Sequence, residues 1–130
     1  TTEPGEILLA TYEGAALSLL DALDAIDANS SGITAGAPLV LVGGGARGTA
    51  WRKVIGRLSG RPVLIPGADE LVALGAAAQA AAMLTGEAPD AVARRWETSS
   101  GTQLEALARD DAALERIRRV RRLTEALNRG

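Results

Sequence analysis

The sequence predicts an α/β fold with the order long helix, strand, helix, parallel strand, helix and C-terminal helix. Two short runs of apolar residues, 39–42 and 62–65, have the length of strands, and the continuity of the first run is typical of a strand that is buried on both faces. The segments before, between and after these runs carry apolar side chains at spacings of three and four, which is typical of helices. A strand, a helix and a second strand in this order form a parallel unit with a right-handed crossover.

The composition limits both the number of domains and the available chemistry. The chain has 130 residues, of which 47% are hydrophobic and 2% aromatic, so we expect a single domain over residues 1–130 with an aliphatic core. The chain has no Cys and no His, which excludes disulfides, thiolate chemistry and histidine as base or metal ligand. A net charge of −2 argues against nucleic acid or a membrane surface as a partner. Without a signal peptide or an apolar run of roughly 20 residues, we expect a cytoplasmic location.

The first predicted element is a long helix over about residues 3–28. Pro4 suits its first turn, and its apolar positions recur at helical spacing. These positions are Leu8, Tyr12, Ala15, Leu19, Leu23 and Ile26. The stretch Asn-Ser-Ser-Gly at 29–32 ends the helix, and the first strand is predicted over about 38–43.

The middle of the chain reads as a glycine turn, a helix, a strand and a second helix. Glycines at 43–45 end the first strand, and helical spacing resumes over about 47–59. Gly60 ends this helix because glycine readily adopts the left-handed conformation of a C-cap. The second strand is predicted at about 62–65, and Asp69 is placed to cap an Ala-rich helix over about 70–84.

The last part of the chain is predicted to be helical. A short helix over about 90–95 precedes the clearest internal break, 99–101, so residues 99–130 are expected to form a closing helical tail. Its amphipathic helix is predicted over about 110–127. We interpret the arginines of this helix as a solvated face, because acidic residues interleave with them. They are Arg116, Arg118, Arg119, Arg121 and Arg122.

The glycine turn is the strongest functional signal in the sequence. A strand that runs directly into glycines lets the backbone approach a ligand closely, and a helix start offers free amide donors to a phosphate. The pattern indicates a nucleotide site, and the competing interpretation is a tight turn without a ligand. A Rossmann-type dinucleotide-binding domain is a further alternative, because Gly43, Gly45 and Gly48 satisfy its glycine pattern. That fold needs an acidic residue at the end of the second strand, whereas residues 66–68 intervene before Asp69.

A set of motifs between about residues 5 and 85 carries a family resemblance. The motifs are Glu13-Gly14-Ala15-Ala16, Leu41-Val42-Gly43-Gly44-Gly45-Ala46-Arg47, Trp51-Arg52, Gly60-Arg61-Pro62-Val63, Pro66, Glu70 and Ala73-Leu74-Gly75-Ala76-Ala77. In order and spacing the chain resembles the C-terminal domain of xylulokinase-like carbohydrate kinases, the FGGY family. The tail after Gly86 matches that family only loosely.

This resemblance implies a ribonuclease-H-like, actin-like ATPase fold in which two lobes enclose ATP, Mg²⁺ and a small sugar. The whole protein would transfer the γ-phosphate of ATP to a hydroxyl of a ketose or polyol, with D-xylulose as the first substrate to consider. In the family the glycine turn contacts adenosine, so the resemblance places Gly44, Gly45 and Ala46 against the nucleotide. It also lets Thr49 reach the base or the ribose, while Gly43 shapes the turn.

Other residues near these motifs have structural interpretations. Trp51 is interpreted as a core residue rather than a stacking partner of the base. Gly75 lies inside a predicted helix, where glycine costs about 1 kcal/mol relative to alanine, so close packing beside the glycine turn is expected there, with a contact between two helices as the alternative. Glu70 is interpreted as a carboxylate favoured by the helix dipole. Arg47 matches a basic residue common in the family, and an exposed side chain near a helix start is the equal alternative.

The motifs that phosphoryl transfer requires are not found in these residues: a catalytic base, phosphate-binding loops and a metal site. The resemblance implies that they lie mainly on an N-terminal lobe of the same protein and on the strands that open the C-terminal lobe. We therefore expect this chain, which begins with Thr1 rather than Met, to be inactive alone. The isolated chain should self-associate through a sheet edge and a helix face left uncovered. The alternative is a stand-alone, non-catalytic domain that binds nucleotide or mediates assembly.

Overall fold

The computed structural model describes residues 1–29 and 36–127, so Ser30 to Gly32 of the predicted break lie outside the described residues. Within these ranges the order of elements is α1 Pro4–Asn29, β1 Leu39–Val40, a 3₁₀ turn Gly44–Arg47, α2 Thr49–Ser59, β2 Val63–Pro66, α3 Leu71–Thr85, α4 Pro89–Arg95, β3 Gly101–Leu104 and α5 Asp111–Leu127. The predicted helices are present, and so is the predicted pair of strands. The coarse prediction of an α/β fold is therefore confirmed.

The long helix α1 contributes its middle part to the core. Ala16, Leu17 and Leu20 are buried at helical spacing, and Tyr12 and Leu23 pack against them. Two helices, α2 and α5, pack against the middle of α1. The face of α1 that they bury is offset from the predicted face. Several large apolar side chains of α1 remain exposed: Ile7, Leu8, Leu9, Leu19 and Ile26.

The sheet has the order β1-β2-β3. β1 and β2 are parallel as predicted, with Leu39 opposite Val63. β1 is shorter than predicted, although the Leu41 N–H still donates to the Leu64 carbonyl at 2.9 Å. The prediction that this strand is buried on both faces is wrong for the described chain, where Val40 is exposed.

The third strand was not predicted. β3 pairs antiparallel with β2, so the tail expected over 99–130 is not all helical. The sequence of β3, Gly-Thr-Gln-Leu, has no apolar run that could signal a strand, and all four residues are exposed. Gly101 permits this pairing, because a Cβ atom there would lie 2.1 Å from the Ile65 carbonyl oxygen.

The main core lies between α1, α2, β2 and α5. Its buried residues are Ala16, Leu17, Leu20, Val54, Ile55, Leu58, Val63, Ala113 and Leu114. Trp51 packs against this core and meets Tyr12 edge to face with ring centroids 5.7 Å apart. The interpretation of Trp51 as a core residue is confirmed. Gly60 ends α2 in the predicted left-handed conformation, with φ 67°.

Ion pairs connect the helices around this core. Arg57 of α2 pairs with Glu13 of α1 and, at 2.6 Å, with Asp110 at the start of α5. Arg118 and Arg121 of α5 reach Asp21 of α1 at 3.0 and 2.7 Å.

The solvated-face interpretation of the α5 arginines is therefore wrong for Arg118, which is half-buried against Asp21. Arg121 also pairs with Asp21 but remains exposed, as do Arg116, Arg119 and Arg122.

The α3–α4 hairpin has a small core of its own. Ala78 and Ala82 of α3 and Val92 of α4 are buried against each other. The opposite face of α3 is exposed, including Met83 at 88%. Gly75 is exposed too, and a Cβ atom there would have no described atom within 4 Å. The close packing predicted for Gly75 is therefore not formed among the described residues.

No single helix among residues 1–29 and 36–127 combines the length and apolarity of a membrane span. Taken together, α3 and α4 reach that length and composition, but they are bent by 116° at the break between them.

Candidate functional site

The glycine turn leads from β1 into α2 through one turn of 3₁₀ helix. Gly43 has φ 84° and ψ 179°, a conformation that essentially only glycine adopts, so Gly43 shapes the turn as expected. The Gly43 carbonyl accepts the Ala46 N–H at 3.1 Å, and the Gly45 carbonyl accepts the Gly48 N–H at 3.2 Å. Gly48 is extended and separates this turn from α2, which begins at Thr49 rather than at the predicted residue 47.

Gly44 and Gly45 have no conformational or steric need to be glycine within the described chain. Neither has a positive φ, in contrast to Gly43. A Cβ atom on either would find no described atom within 4 Å. Both are exposed, so their backbone is open to close approach by a ligand.

A cavity of about 550 Å³ lies beside this turn. It is bounded by the end of β1, the glycine turn and the loop from β2 to α3, where the carboxyl ends of two parallel strands meet. Ligands of α/β proteins bind at such positions, and the volume lies within the usual range of small-molecule sites. The lining residues are Leu41, Val42, Gly43, Gly44, Ala46, Arg47, Arg52, Ile65, Pro66, Ala68, Asp69, Glu70 and Leu71.

The structure brings only some of the predicted nucleotide contacts to this cavity. Gly44 and Ala46 are part of its wall, and Ala46 is 5% exposed. Gly45 lies in the same turn but outside the wall. Thr49 borders a different cavity of about 490 Å³, between α2 and β3. Arg52 borders both cavities.

An exposed ion pair joins the two rims of the glycine-turn cavity. Arg47 pairs with Asp69 in the loop before α3, and both side chains are about three-quarters exposed, at 73% and 75%. Exposed pairs of this kind contribute about 0 to 1 kcal/mol, so this one is easily opened. Asp69 does not cap α3 as predicted; Glu70 occupies the N-cap position and makes no side-chain capping bond.

Arg52 makes a contact that the sequence did not predict. Its Nε–H donates to the Ala46 carbonyl and so ties the glycine turn to the first part of α2. Arg52 is half-buried, whereas its neighbour Lys53 is exposed. The sequence offers one signal for this contact, which is the basic residue one helical turn after Gly48.

The described residues do not offer a complete Mg²⁺ site. Asp69 and Glu70 are the acidic residues of the cavity wall, and Asp69 already pairs with Arg47. Among the residues that the structure describes, no group of three or more His, Cys, Asp or Glu side chains could hold a metal ion. Magnesium prefers an octahedral set of oxygen ligands, which this donor set does not supply.

Comparison with known proteins places the chain in a family. The sequence profile of the FGGY family of carbohydrate kinases, C-terminal domain, matches residues 1–84. The xylulose kinase of Streptomyces rubiginosus is 59% identical to this chain over 119 residues, and that of Streptomyces coelicolor (strain ATCC BAA-471 / A3(2) / M145) is 60% identical over 119 residues. Each alignment covers 89% of this chain but only 24% of the relative, so the chain spans a minor part of the length of these curated relatives. The chain therefore belongs to the FGGY family of carbohydrate kinases and corresponds to its C-terminal domain.

Proposed function

We propose that the protein to which this chain belongs is an ATP-dependent sugar kinase that transfers the γ-phosphate of ATP to a hydroxyl of a ketose or polyol. D-xylulose is the proposed substrate, because both relatives described above are named xylulose kinase. Within that protein, this segment contributes the glycine turn to the adenosine site. One observation carries this role: Gly44 and Gly45 are glycine without a conformational or packing reason in the described chain, and Gly44 lines a ligand-sized cavity.

In this proposal Gly44, Gly45 and Ala46 lie against the adenosine, and Thr49 contacts the base or the ribose. The absence of side chains at the two glycines lets a flat ring system approach the backbone. Leu41, Ile65, Pro66 and Leu71 give the cavity apolar walls, which suit a purine base.

The proposal includes the two-lobed, ribonuclease-H-like fold of the actin-like ATPases. An N-terminal lobe of the same protein would supply the acceptor-orienting carboxylate, the phosphate-binding loops and the ligands of Mg²⁺. A bound Mg²⁺ neutralises charge on the transferred phosphoryl group in such enzymes. Support comes from the family and from the 24% coverage of the relatives. We also propose a cytoplasmic location for the protein.

The experiment is an assay of sugar-dependent ADP formation by the intact protein with ATP and Mg²⁺. A panel of ketoses and polyols is tested, and D-xylulose is expected to give the highest kcat/KM. Higher kcat/KM for another sugar would correct the substrate and leave the reaction class in place. Absence of sugar-dependent ADP formation with every member of the panel, in a folded protein that binds ATP, would favour the non-catalytic binding domain.

A further inference from the structure

We propose that Arg52 is a positioning residue that holds the glycine turn in the shape required for nucleotide binding. This inference rests on the proposed function, because it assigns Arg52 to the adenosine site. The contact that carries it is the hydrogen bond from the Arg52 Nε–H to the Ala46 carbonyl. Ala46 is buried at the centre of the turn, and both residues line the candidate cavity.

The turn needs such a tie because it contains three successive glycines, which lose more conformational freedom on ordering than other residues. Two of its backbone hydrogen bonds, from Ala46 to Gly43 and from Gly48 to Gly45, begin and end within the turn, and the Arg52 N–H anchors only its last residue, Gly48, to α2 at 3.1 Å. These bonds fix the local shape of the turn and the position of Gly48, but they do not tie Gly44 to Ala46 to the core. The ion pair of Arg47 is exposed and therefore a weak restraint.

Arg52 differs from these restraints because it lies on an element that is anchored in the core. Val54 and Ile55 follow it in α2 and are both buried in the main core. A bond from Arg52 to Ala46 therefore transmits the fixed position of α2 to the glycine turn. Ordering a loop at the moment of binding costs affinity, and a turn that is already held avoids that cost.

Loss of the bond between Arg52 and Ala46 should weaken the binding of the nucleotide rather than the binding of the sugar. Loss of the Nε–H donor leaves the Ala46 carbonyl without this partner and lets the turn sample other conformations. The wall formed by Gly43, Gly44 and Ala46 is then disordered before ATP binds. Arg52 itself need not touch the nucleotide for this effect.

Two substitutions separate the hydrogen bond from the charge. Arg52→Gln places an amide nitrogen at the chain position of Nε, and Arg52→Met places a methyl group there. Both variants lose the positive charge, but only the glutamine keeps an N–H donor. Arg119→Met is the control, because it removes a positive charge from an exposed side chain of α5 that borders neither cavity. The KM values for ATP and sugar, kcat and Tm are measured on the intact protein.

Arg52→Met is expected to raise the KM for ATP about tenfold and to change the KM for sugar by less than about twofold. Arg52→Gln is expected to stay within about threefold of the unmodified protein in both KM values, since it can restore the bond. Arg119→Met is expected to leave both KM values unchanged. If Arg52→Met does not fold, Arg52→Lys, which keeps the charge but lacks a donor at the Nε position, should raise the KM for ATP.

Equal ATP KM values for Arg52→Met and Arg52→Gln would overturn the proposal, because the charge and not the bond would then matter. Equal increases in both KM values, a lowered Tm with unchanged KM values, or an Arg52→Lys variant with the unmodified KM for ATP would also overturn it. Gly44→Val distinguishes this failure from that of the proposed function. If Gly44→Val raises the KM for ATP and Arg52→Met does not, only the role of Arg52 is wrong. If Gly44→Val has no effect on ATP, the adenosine site itself is misplaced.

Discussion

At the scale of the residue, the glycines of this chain serve different purposes. Gly43 has a backbone conformation that other residues rarely adopt, and Gly101 has no room for a Cβ atom beside β2. Gly44 and Gly45 have neither constraint among the described residues. Substitutions at these two groups of positions should therefore separate stability from ligand binding.

Gly101→Ala should destabilise the protein. Its Cβ would lie 2.1 Å from the Ile65 carbonyl oxygen and 2.7 Å from the Pro66 Cα, so β3 has to move away from β2. We expect a loss of about 2 kcal/mol or more in the free energy of unfolding, measured by denaturant titration of the intact protein. Gly45→Ala is the control and should change it by less than about 0.5 kcal/mol. Equal losses for both variants would contradict the assignment of β3.

Gly44→Val should weaken ATP binding without weakening sugar binding. The branched side chain enters open space in the described chain, but it projects at the wall of the cavity assigned to adenosine. We expect the KM for ATP to rise about tenfold or more, because the side chain blocks approach to the backbone and a β-branched residue restricts the turn. The Tm should stay unchanged, since a Cβ atom at this position has no described atom within 4 Å. Gly45→Val should have a smaller effect, since Gly45 lies outside the cavity wall. An equal increase in the KM for sugar would contradict the assignment.

At the scale of the element, the sequence predicted the helices better than the strands. The helical spacing of Ala50, Trp51, Val54, Ile55 and Leu58 predicts one face of α2, and the last three are buried, Trp51 is half-buried and Ala50 is exposed. β3 escaped prediction because an exposed strand of four residues has no apolar pattern. The glycine turn was recognisable because its residues are contiguous. The contacts of Arg52 with Ala46 and of Arg47 with Asp69 were not, because they depend on how the chain folds back on itself.

The start of α5 should show an acid-dependent contribution to stability. The Ala113 N–H and the Arg57 guanidinium both donate to Asp110 and lower the pKa of its carboxyl group. A carboxyl group whose pKa is lower in the folded state stabilises the fold above its unfolded pKa, near 3.9, and loses that contribution as the pH falls through the folded value.

Asp110→Asn should therefore lower the Tm at pH 7, because asparagine can still cap α5 but cannot carry the charge that pairs with Arg57. The difference in Tm from the unmodified protein should shrink as the pH falls below about 3.9. Thermal unfolding of both proteins between pH 7 and pH 3 measures this. A difference in Tm that is constant over this range would contradict the role of the charge.

At the scale of the whole molecule, the described chain exposes apolar surface in separate places. Ile7, Leu8 and Leu9 of α1 are exposed, as are Val40 of β1 and Val72 of α3. Adjacent exposed apolar residues such as Ile7, Leu8 and Leu9 can mark a surface that another part or a partner covers, whereas single exposed apolar residues are normal. Because the curated relatives are much longer than this chain, we propose that the rest of the same protein covers these surfaces.

The isolated chain should therefore self-associate and should show no sugar-dependent ATP turnover. An uncovered sheet edge and an apolar helix face favour association, and phosphoryl transfer requires phosphates, metal and acceptor to be held together. Analytical ultracentrifugation at micromolar concentration and an ADP assay measure the two properties. A compact monomer that binds no hydrophobic dye would contradict the first, and turnover at the rate of the intact protein would contradict the second.

The most direct test of the central claim is the position of a bound ATP analogue in a crystal structure of the intact protein. The proposed function predicts the adenosine in the cavity beside the glycine turn, in van der Waals contact with the backbone of Gly44 and Ala46. The Arg52 Nε–H should still donate to the Ala46 carbonyl. An adenosine bound elsewhere, for example in the cavity of about 330 Å³ lined by Leu20, Asp27 and Arg61, would contradict the assignment of the site.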